Sequence, residues 1–113
     1  MLEKKEPLTE SYFYILLCLY NGPNHGYGIM QQTAELSNGQ VKIGSGTMYG
    51  ATSNMMKKNW IRETISTNPE DKRKRLYELT ALGKEVLESE ILRLKHLVAC
   101  SDYVIQNPNA KED

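Results

Sequence analysis

The sequence is short of nearly everything that marks catalysis, secretion or membrane insertion. Its two cysteines, Cys18 and Cys100, each sit inside an apolar helical pattern, at neither a disulfide-framework nor a metal-ligand spacing, so both are expected to be buried free thiols. Of its two histidines, His25 stands beside glycines and His96 lies far along the last helical pattern, neither at a recognisable ligand or triad spacing. That leaves no nucleophile, base or metal set, and the chain is expected to be no enzyme and to need no cofactor or metal. No run approaches the roughly 18 uncharged apolar residues that cross a bilayer. Met1 to Pro7 carries Glu3, Lys4, Lys5 and Glu6 in place of an apolar signal-peptide core. A cytoplasmic location with no membrane partner is the expectation. Net charge is missing too, since 14 basic side chains face 14 acidic ones, which at first argues against a polyanionic partner.

What is present is an ordinary globular composition, unevenly charged. With 113 residues, 40% hydrophobic and 25% charged, the chain fits one domain and is neither disordered nor collagen-like. Residues 42–75, however, hold eight basic side chains against three acidic ones, while both flanks are acidic. A surface is read piecewise at a Debye length of about 8 Å, so a locally basic middle can recruit phosphates despite zero net charge.

Apolar spacing predicts three short helices and one long one. The first starts at Thr9 as N-cap, carries Tyr12, Ile15, Leu16 and Leu19 on one stripe with Phe13, Leu17 and Tyr20 beside it, and stops at Asn21-Gly22-Pro23. The second runs from about Gly26 to Ser37, with Tyr27, Met30 and Ala34 inward, and ends at Asn38-Gly39. Gly26 and Gly28 in its first turn cost helix propensity, which points to a close approach by a neighbouring helix or a phosphate. The third runs from Ser45, the candidate cap, to about Lys58, and buries Met48, Ala51, Thr52, Met55 and Met56. Its opposite side presents Gly46, Thr47, Gly50, Ser53, Asn54 and Lys57, with Tyr49 at the flank: small or hydrogen-bonding groups and no acid.

The run Trp60 to Ser66 and the run Lys74 to Leu79 read as a β-hairpin, with four consecutive cations, Lys72, Arg73, Lys74 and Arg75, on the return from its tip. Thr80 then caps a helix from Ala81 to Gln106, about 39 Å long. Leu87, Ile91, Leu94, Val98 and Ile105 form a heptad-like seam on it, with Leu97 and Val104 alongside. A small domain has too little apolar surface to cover that seam, so a two-fold homodimer is expected, its interface formed by Tyr12, Leu87, Ile91, Leu94, Leu97, Val98 and Ile105. A helix folded back on its own domain is the alternative.

The fold class is therefore mainly α with a small β-hairpin: a winged helix-turn-helix domain over residues 8–80, a dimerisation helix over 81–106 and a frayed tail over 107–113. In that architecture the second helix of the helix-turn-helix enters the major groove, the hairpin touches backbone or minor groove, and dimer symmetry matches a palindromic site.

Specific residues resemble the PadR family of bacterial transcriptional regulators, over about residues 8 to 105. They are His25-Gly26-Tyr27-Gly28, Gly44-Ser45-Gly46-Thr47-Met48-Tyr49, Lys58-Asn59-Trp60-Ile61, and Arg73-Lys74-Arg75-Leu76-Tyr77-Glu78-Leu79-Thr80 with Gly83. The single C-terminal helix is similar to the family's short-chain branch. Departures stand at Ser45 and Gly50, where the family usually has proline, at Thr52, near which it has leucine, and at Asn54, near which it often has a basic residue. They imply a looser first turn of the recognition helix and a different operator.

On this reading Thr47, Ser53 and Asn54 face the groove, while Ser45, Tyr49 and the amides of the helix start, Gly46 included, meet phosphate. Lys72, Arg73, Lys74 and Arg75 serve the wing, and Lys42, Lys57 and Lys58 the flanking backbone. Tyr49 and Tyr27 fit equally well as core tyrosines. The expected partner is double-stranded DNA with a palindromic operator. The resemblance further implies a small aromatic or hydrophobic effector at or near the dimer interface, which Tyr12, Phe13, Tyr20, Leu94, Leu97, Val98 and Tyr103 could line. A winged-helix dimer that binds protein without sequence-specific DNA binding is the rival reading.

Overall fold

The computed structural model describes residues 6–66, 70 and 75–109, and resolves α1 (Glu10–Cys18), β1 (Asn24–His25), α2 (Gly26–Leu36), α3 (Ser45–Lys57), β2 (Ile61–Thr64), β3 (Leu76–Leu79) and α4 (Ala81–Gln106). Local chemistry sets most of these boundaries. Thr9 caps α1 by accepting from the Tyr12 amide at 3.1 Å, and Thr80 caps α4 by accepting from the Gly83 amide at 3.0 Å. Both α2 and α3 end in an asparagine with positive φ, Asn38 at 54° and Asn59 at 63°. The amides that follow then reach back, Gly39 to the Ala34 carbonyl at 2.7 Å and Trp60 to that of Met55 at 2.9 Å, which closes each helix as a Schellman motif.

Four details depart from the sequence reading. The cap of α3 is Gly44, with no side-chain hydrogen bond, and Ser45 is the first helical residue. The second helix buries Ile29 and Thr33, while Tyr27 is 67% exposed, so its inward face is rotated from the one expected. Cys100 is exposed because it lies beyond the point where α4 leaves the core; Cys18 is buried, as expected. The hairpin is part of a three-stranded antiparallel sheet of order β1-β3-β2, in which Asn24 pairs with Tyr77 and His25 with Leu76.

The strand β1 also explains a glycine. Just before α2, the Asn24 side-chain oxygen accepts from the His25 amide at 2.9 Å, and a Cβ at Gly28 would overlap that oxygen. His25 itself caps α2, its Nδ1 accepting from the Gly28 amide at 3.1 Å. Gly28 therefore answers to Asn24, not to a neighbouring helix.

The core gathers Ile15, Leu16 and Leu19 of α1, Ile29 of α2, Met48, Ala51 and Met55 of α3, Ile61 and Tyr77 of the sheet, and Leu87 of α4. Two buried polar groups are satisfied within it. The Thr52 hydroxyl donates to the Met48 carbonyl at 3.0 Å. Cys18 Sγ lies 3.7 Å from Thr33 Oγ1, and burial pushes its thiol up, away from the reactive thiolate. Beyond Ile91, α4 runs on with little cover from the other described residues. The Cα radius of gyration, 17.5 Å, exceeds the roughly 13 Å of a compact domain of this length.

Two groups at the base of α4 hold it in place. A Cβ at Gly83 would overlap the carbonyl oxygen of Trp60, so the helix can pack there only without a side chain. Gly83→Ala is expected to cost about 1–3 kcal/mol or to displace α4, read as a lowered midpoint in urea denaturation. Glu90 is 5% exposed and accepts from Arg93 through both oxygens, at 2.7 and 2.8 Å, and from the Leu8 amide at 3.1 Å. The Arg93 hydrogen bonds hold its carboxyl below the usual carboxylate range, against the effect of burial. A folded-state value below the unfolded one gives stability that is complete above the unfolded value and is lost as pH falls through the folded one. Unfolding free energy should therefore drop below about pH 4.5, and Glu90→Gln should flatten that drop while costing about 2 kcal/mol at pH 7.

Candidate nucleic-acid interface

The helix α3 is held against the core by Met48, Ala51, Thr52 and Met55, which turns its other side outward. The turn before it is fixed by Ser37, whose Oγ accepts from the Val41 amide at 2.9 Å, and Ile43 is buried, so the start of α3 is aimed by packing on both sides of the turn. Ser45, Gly46, Thr47, Tyr49 and Lys57 are exposed, with Tyr49 at 67%. Tyr49 and Tyr27 are thus surface tyrosines, not core ones. No carboxylate occurs between Ser45 and Lys58. The free amides at the start of α3 and the absence of acids make its first turn receptive to an anion, and Lys57 and Lys58 close the far end. Lys42 is exposed in the preceding turn.

Ser53 and Asn54 are half-buried. Asn54 is engaged inward: its Nδ2 donates to the Tyr12 hydroxyl at 2.8 Å, tying α3 to α1. Tyr12 in turn meets Trp60 edge-on, ring centroids 6.5 Å apart. Spacing along α3 puts Asn54 on the outer side, and only the position of α1 reveals that its amide is already spoken for.

Both described arginines of the wing are engaged in ion pairs. Arg62 pairs with Glu78 at 2.6 Å directly across β2 and β3, and Arg75 pairs with Glu63 at 2.8 Å. The guanidinium of Arg75 is held further above its ordinary value by a hydrogen bond with Tyr77 and by Glu63, with a smaller contribution from Tyr49. Lys72, Arg73 and Lys74 lie outside the described residues.

The expected dimer residues divide in two. Leu87 is enclosed in its own protomer at 0% exposure, so it cannot meet a second chain, and Tyr12 is half-buried and engaged with Asn54 and Trp60. Ile91 is half-buried, whereas Leu94, Leu97, Val98 and Ile105 become steadily more exposed, from 37% to 74%. Phe13 of α1 and Ile91, Leu94, Val98 and Ala99 of α4 line an open, mostly apolar groove of about 360 Å³. Among the described residues no group of three or more histidine, cysteine or acidic side chains could hold a metal ion, and no helix is long and apolar enough to cross a membrane.

Solved structures share this arrangement. A PadR family transcription regulator from Clostridium difficile superposes with a TM-score of 0.73 at 25% identity, over 86% of this chain and 99% of that one. A PadR-like transcriptional regulator from Bacillus cereus gives 0.70 at 19% identity, over 84% of this chain and 90% of that one. Bacillus subtilis PadR, solved in complex with operator DNA, gives 0.62 at 21% identity, over 71% of this chain and 45% of that one. The last two carry the fold alone. A curated relative, an uncharacterized 37.1 kDa protein in transposon TN4556 of Streptomyces fradiae, is 32% identical over 82 residues, 73% of this chain; this chain spans 22% of that protein's length. The model of the Transcriptional regulator PadR-like family matches residues 15–89. That match runs from within α1 to the first turns of α4 and covers two thirds of the chain, and the chain belongs to the PadR-like family of transcriptional regulators.

Proposed function

We propose that this regulator is a cytoplasmic homodimer that represses transcription by binding a palindromic operator and is released by a small aromatic or hydrophobic effector. The observation that carries the DNA reading is the outer face of α3, acid-free and exposed from Ser45 to Tyr49 and again at Lys57. The B. subtilis relative solved with operator DNA supports the same use of the fold. In this reading Thr47 and Ser53 meet base edges, while Ser45, Gly46 and Tyr49 meet phosphate. Lys57 and the wing cations Lys72, Arg73, Lys74 and Arg75 hold the flanking backbone. Asn54 contributes by fixing α3 against Tyr12, and reaches a base only if it gives up that bond. Residues 8–80 form the DNA-reading head, 81–106 the dimerisation helix and 107–113 a tail. Repression and release follow from one lever: an effector lowers DNA affinity only by binding better to the arrangement in which the two heads miss successive grooves.

The rival, a winged-helix dimer that binds protein, draws on the two ion pairs that occupy Arg62 and Arg75 of the wing. Salt separates the two readings, because DNA binding releases counterions in proportion to the phosphates neutralised.

With a site recovered by selection from genomic DNA, log affinity should fall steeply with log salt. Lys57→Ala should reduce that slope by about two per dimer, one for each phosphate contact removed. A flat response would leave the protein-binding reading. Val98→Asp, placed on the exposed half of α4, should give a folded monomer in sedimentation velocity and lower operator affinity at least tenfold, because each head then binds one half-site alone. A Val98→Asp protein that stays dimeric would move the interface off this groove.

A further inference from the structure

On another face of α4 from the apolar groove, a cleft of about 310 Å³ opens between Glu6–Thr9, α1, the Lys58–Trp60 turn and the first half of α4. That volume is at the lower end of small-molecule sites. Leu8, Tyr12, Trp60 and Val86 supply its apolar lining, and Thr9 and Ser89 bring hydroxyls. Its charged groups are Glu6, Glu90 and Lys58, two carboxylates against one ammonium. The ammonium of Lys58 lies over the Trp60 ring, 5.4 Å from its centroid. The indole face therefore already holds a cation; of the two carboxylates, Glu90 is engaged by Arg93 and the Leu8 amide, and Glu6 supplies the other. Lys58 is exposed and tethered by a flexible stem, so it can swing into solvent at small cost.

We propose that this cleft binds a small organic cation with an apolar or aromatic body, which takes the face of Trp60 from Lys58. Cation–π attraction strengthens as the cation is desolvated, so a weakly hydrated alkylammonium competes well with a primary ammonium. The cleft is also connected to the DNA-reading helix. Tyr12, on its wall, accepts the hydrogen bond from Asn54, and the Trp60 carbonyl accepts from the Thr80 amide at 3.0 Å, at the base of α4. A ligand seated against Tyr12 and Trp60 therefore bears on the bond that fixes α3 to α1. That second step deepens the effector reading above and rests on it; the binding step does not.

Trp60 is the single tryptophan of the chain, so intrinsic fluorescence reads the cleft directly. Titration with benzyltrimethylammonium should give saturable quenching, and benzoate, of similar size and opposite charge, should give none. Lys58→Ala should tighten benzyltrimethylammonium binding about two- to fivefold by removing the competing cation. Ser89→Phe, filling the cleft from α4, should abolish saturation. Linear quenching, equal saturation by benzoate, or saturation that survives Ser89→Phe would overturn the site. The same ligand should then weaken operator binding in wild type, and less so in Tyr12→Phe, which has no acceptor for Asn54. Unchanged operator affinity at saturating ligand would overturn the link to α3. A protein that binds no operator at all would sink the regulator reading, while the fluorescence titration would still decide the cleft.

Discussion

The carbonyl of Trp60 is the point on which the architecture turns. It follows Asn59, whose positive φ ends α3; it accepts from the Thr80 amide, where β3 ends; and it lies against Gly83 in the first turn of α4. The Thr80 hydroxyl adds a bond to the Asn59 carbonyl at 2.6 Å. Each such bond contributes only about 1 kcal/mol net, but together they join three backbones through one short side chain, that of Thr80. The direction of α4 is therefore inherited from the end of α3. A rotation of one requires either a matching rotation of the other or the loss of this junction.

Charge is distributed by a similar economy. The sequence has no net charge, yet α3 has no acid, and acids of the wing and of α4 are committed to ion pairs. Glu63 and Glu78 are paired with Arg75 and Arg62 across the wing, and Glu90 is held by Arg93. The two wing pairs are largely exposed, and such pairs add little stability. Their larger effect is to keep the described wing close to neutral, which leaves the start of α3, with its unpaired amides, as the anion-receptive part of the described surface.

What was legible in the sequence was local. Thr9, Thr80, Asn38 and Asn59 act through bonds three to five residues away, and the helix ends they set lie within a residue or two of where the pattern puts them. The 26-residue extent of α4 follows from its cap and from Asn107-Pro108. The buried face of α3 was legible because Met48, Ala51, Thr52 and Met55 hold one stripe. What failed depended on distant partners. The strand β1 is two residues long and exists only because β3 offers it a free edge. The facing of α2 is set by α1, through Ile29 and Thr33, not by its own weak apolar pattern. Asn54 reads as a surface residue until α1 brings Tyr12 to it across 42 positions of sequence. The pair Glu90 and Arg93 carried a faint signal, an i,i+3 ion pair inside an apolar band, but its third partner, the Leu8 amide, lies 82 residues away.

The two halves of α4 obey different physics, and their continuity is what makes the helix useful. Up to Ile91 one face of it is core: Leu87 has no exposed surface, Glu90 is locked, and at the surface Tyr20, just past α1, donates to Glu88 at 2.9 Å. Past Ile91 the same helix carries exposed leucine, valine and isoleucine with little cover from the other described residues. An α-helix resists bending, so a constraint on the distal half reaches the Trp60 junction without dissipating in a hinge. In a two-fold dimer paired on that half, the spacing between the two α3 helices would be fixed by the angle at which each α4 leaves its head. That angle is set within one turn of Gly83, beside the cleft that Trp60 and Tyr12 line. In such a dimer a small change of that angle would be multiplied along α4 into a larger displacement of each head.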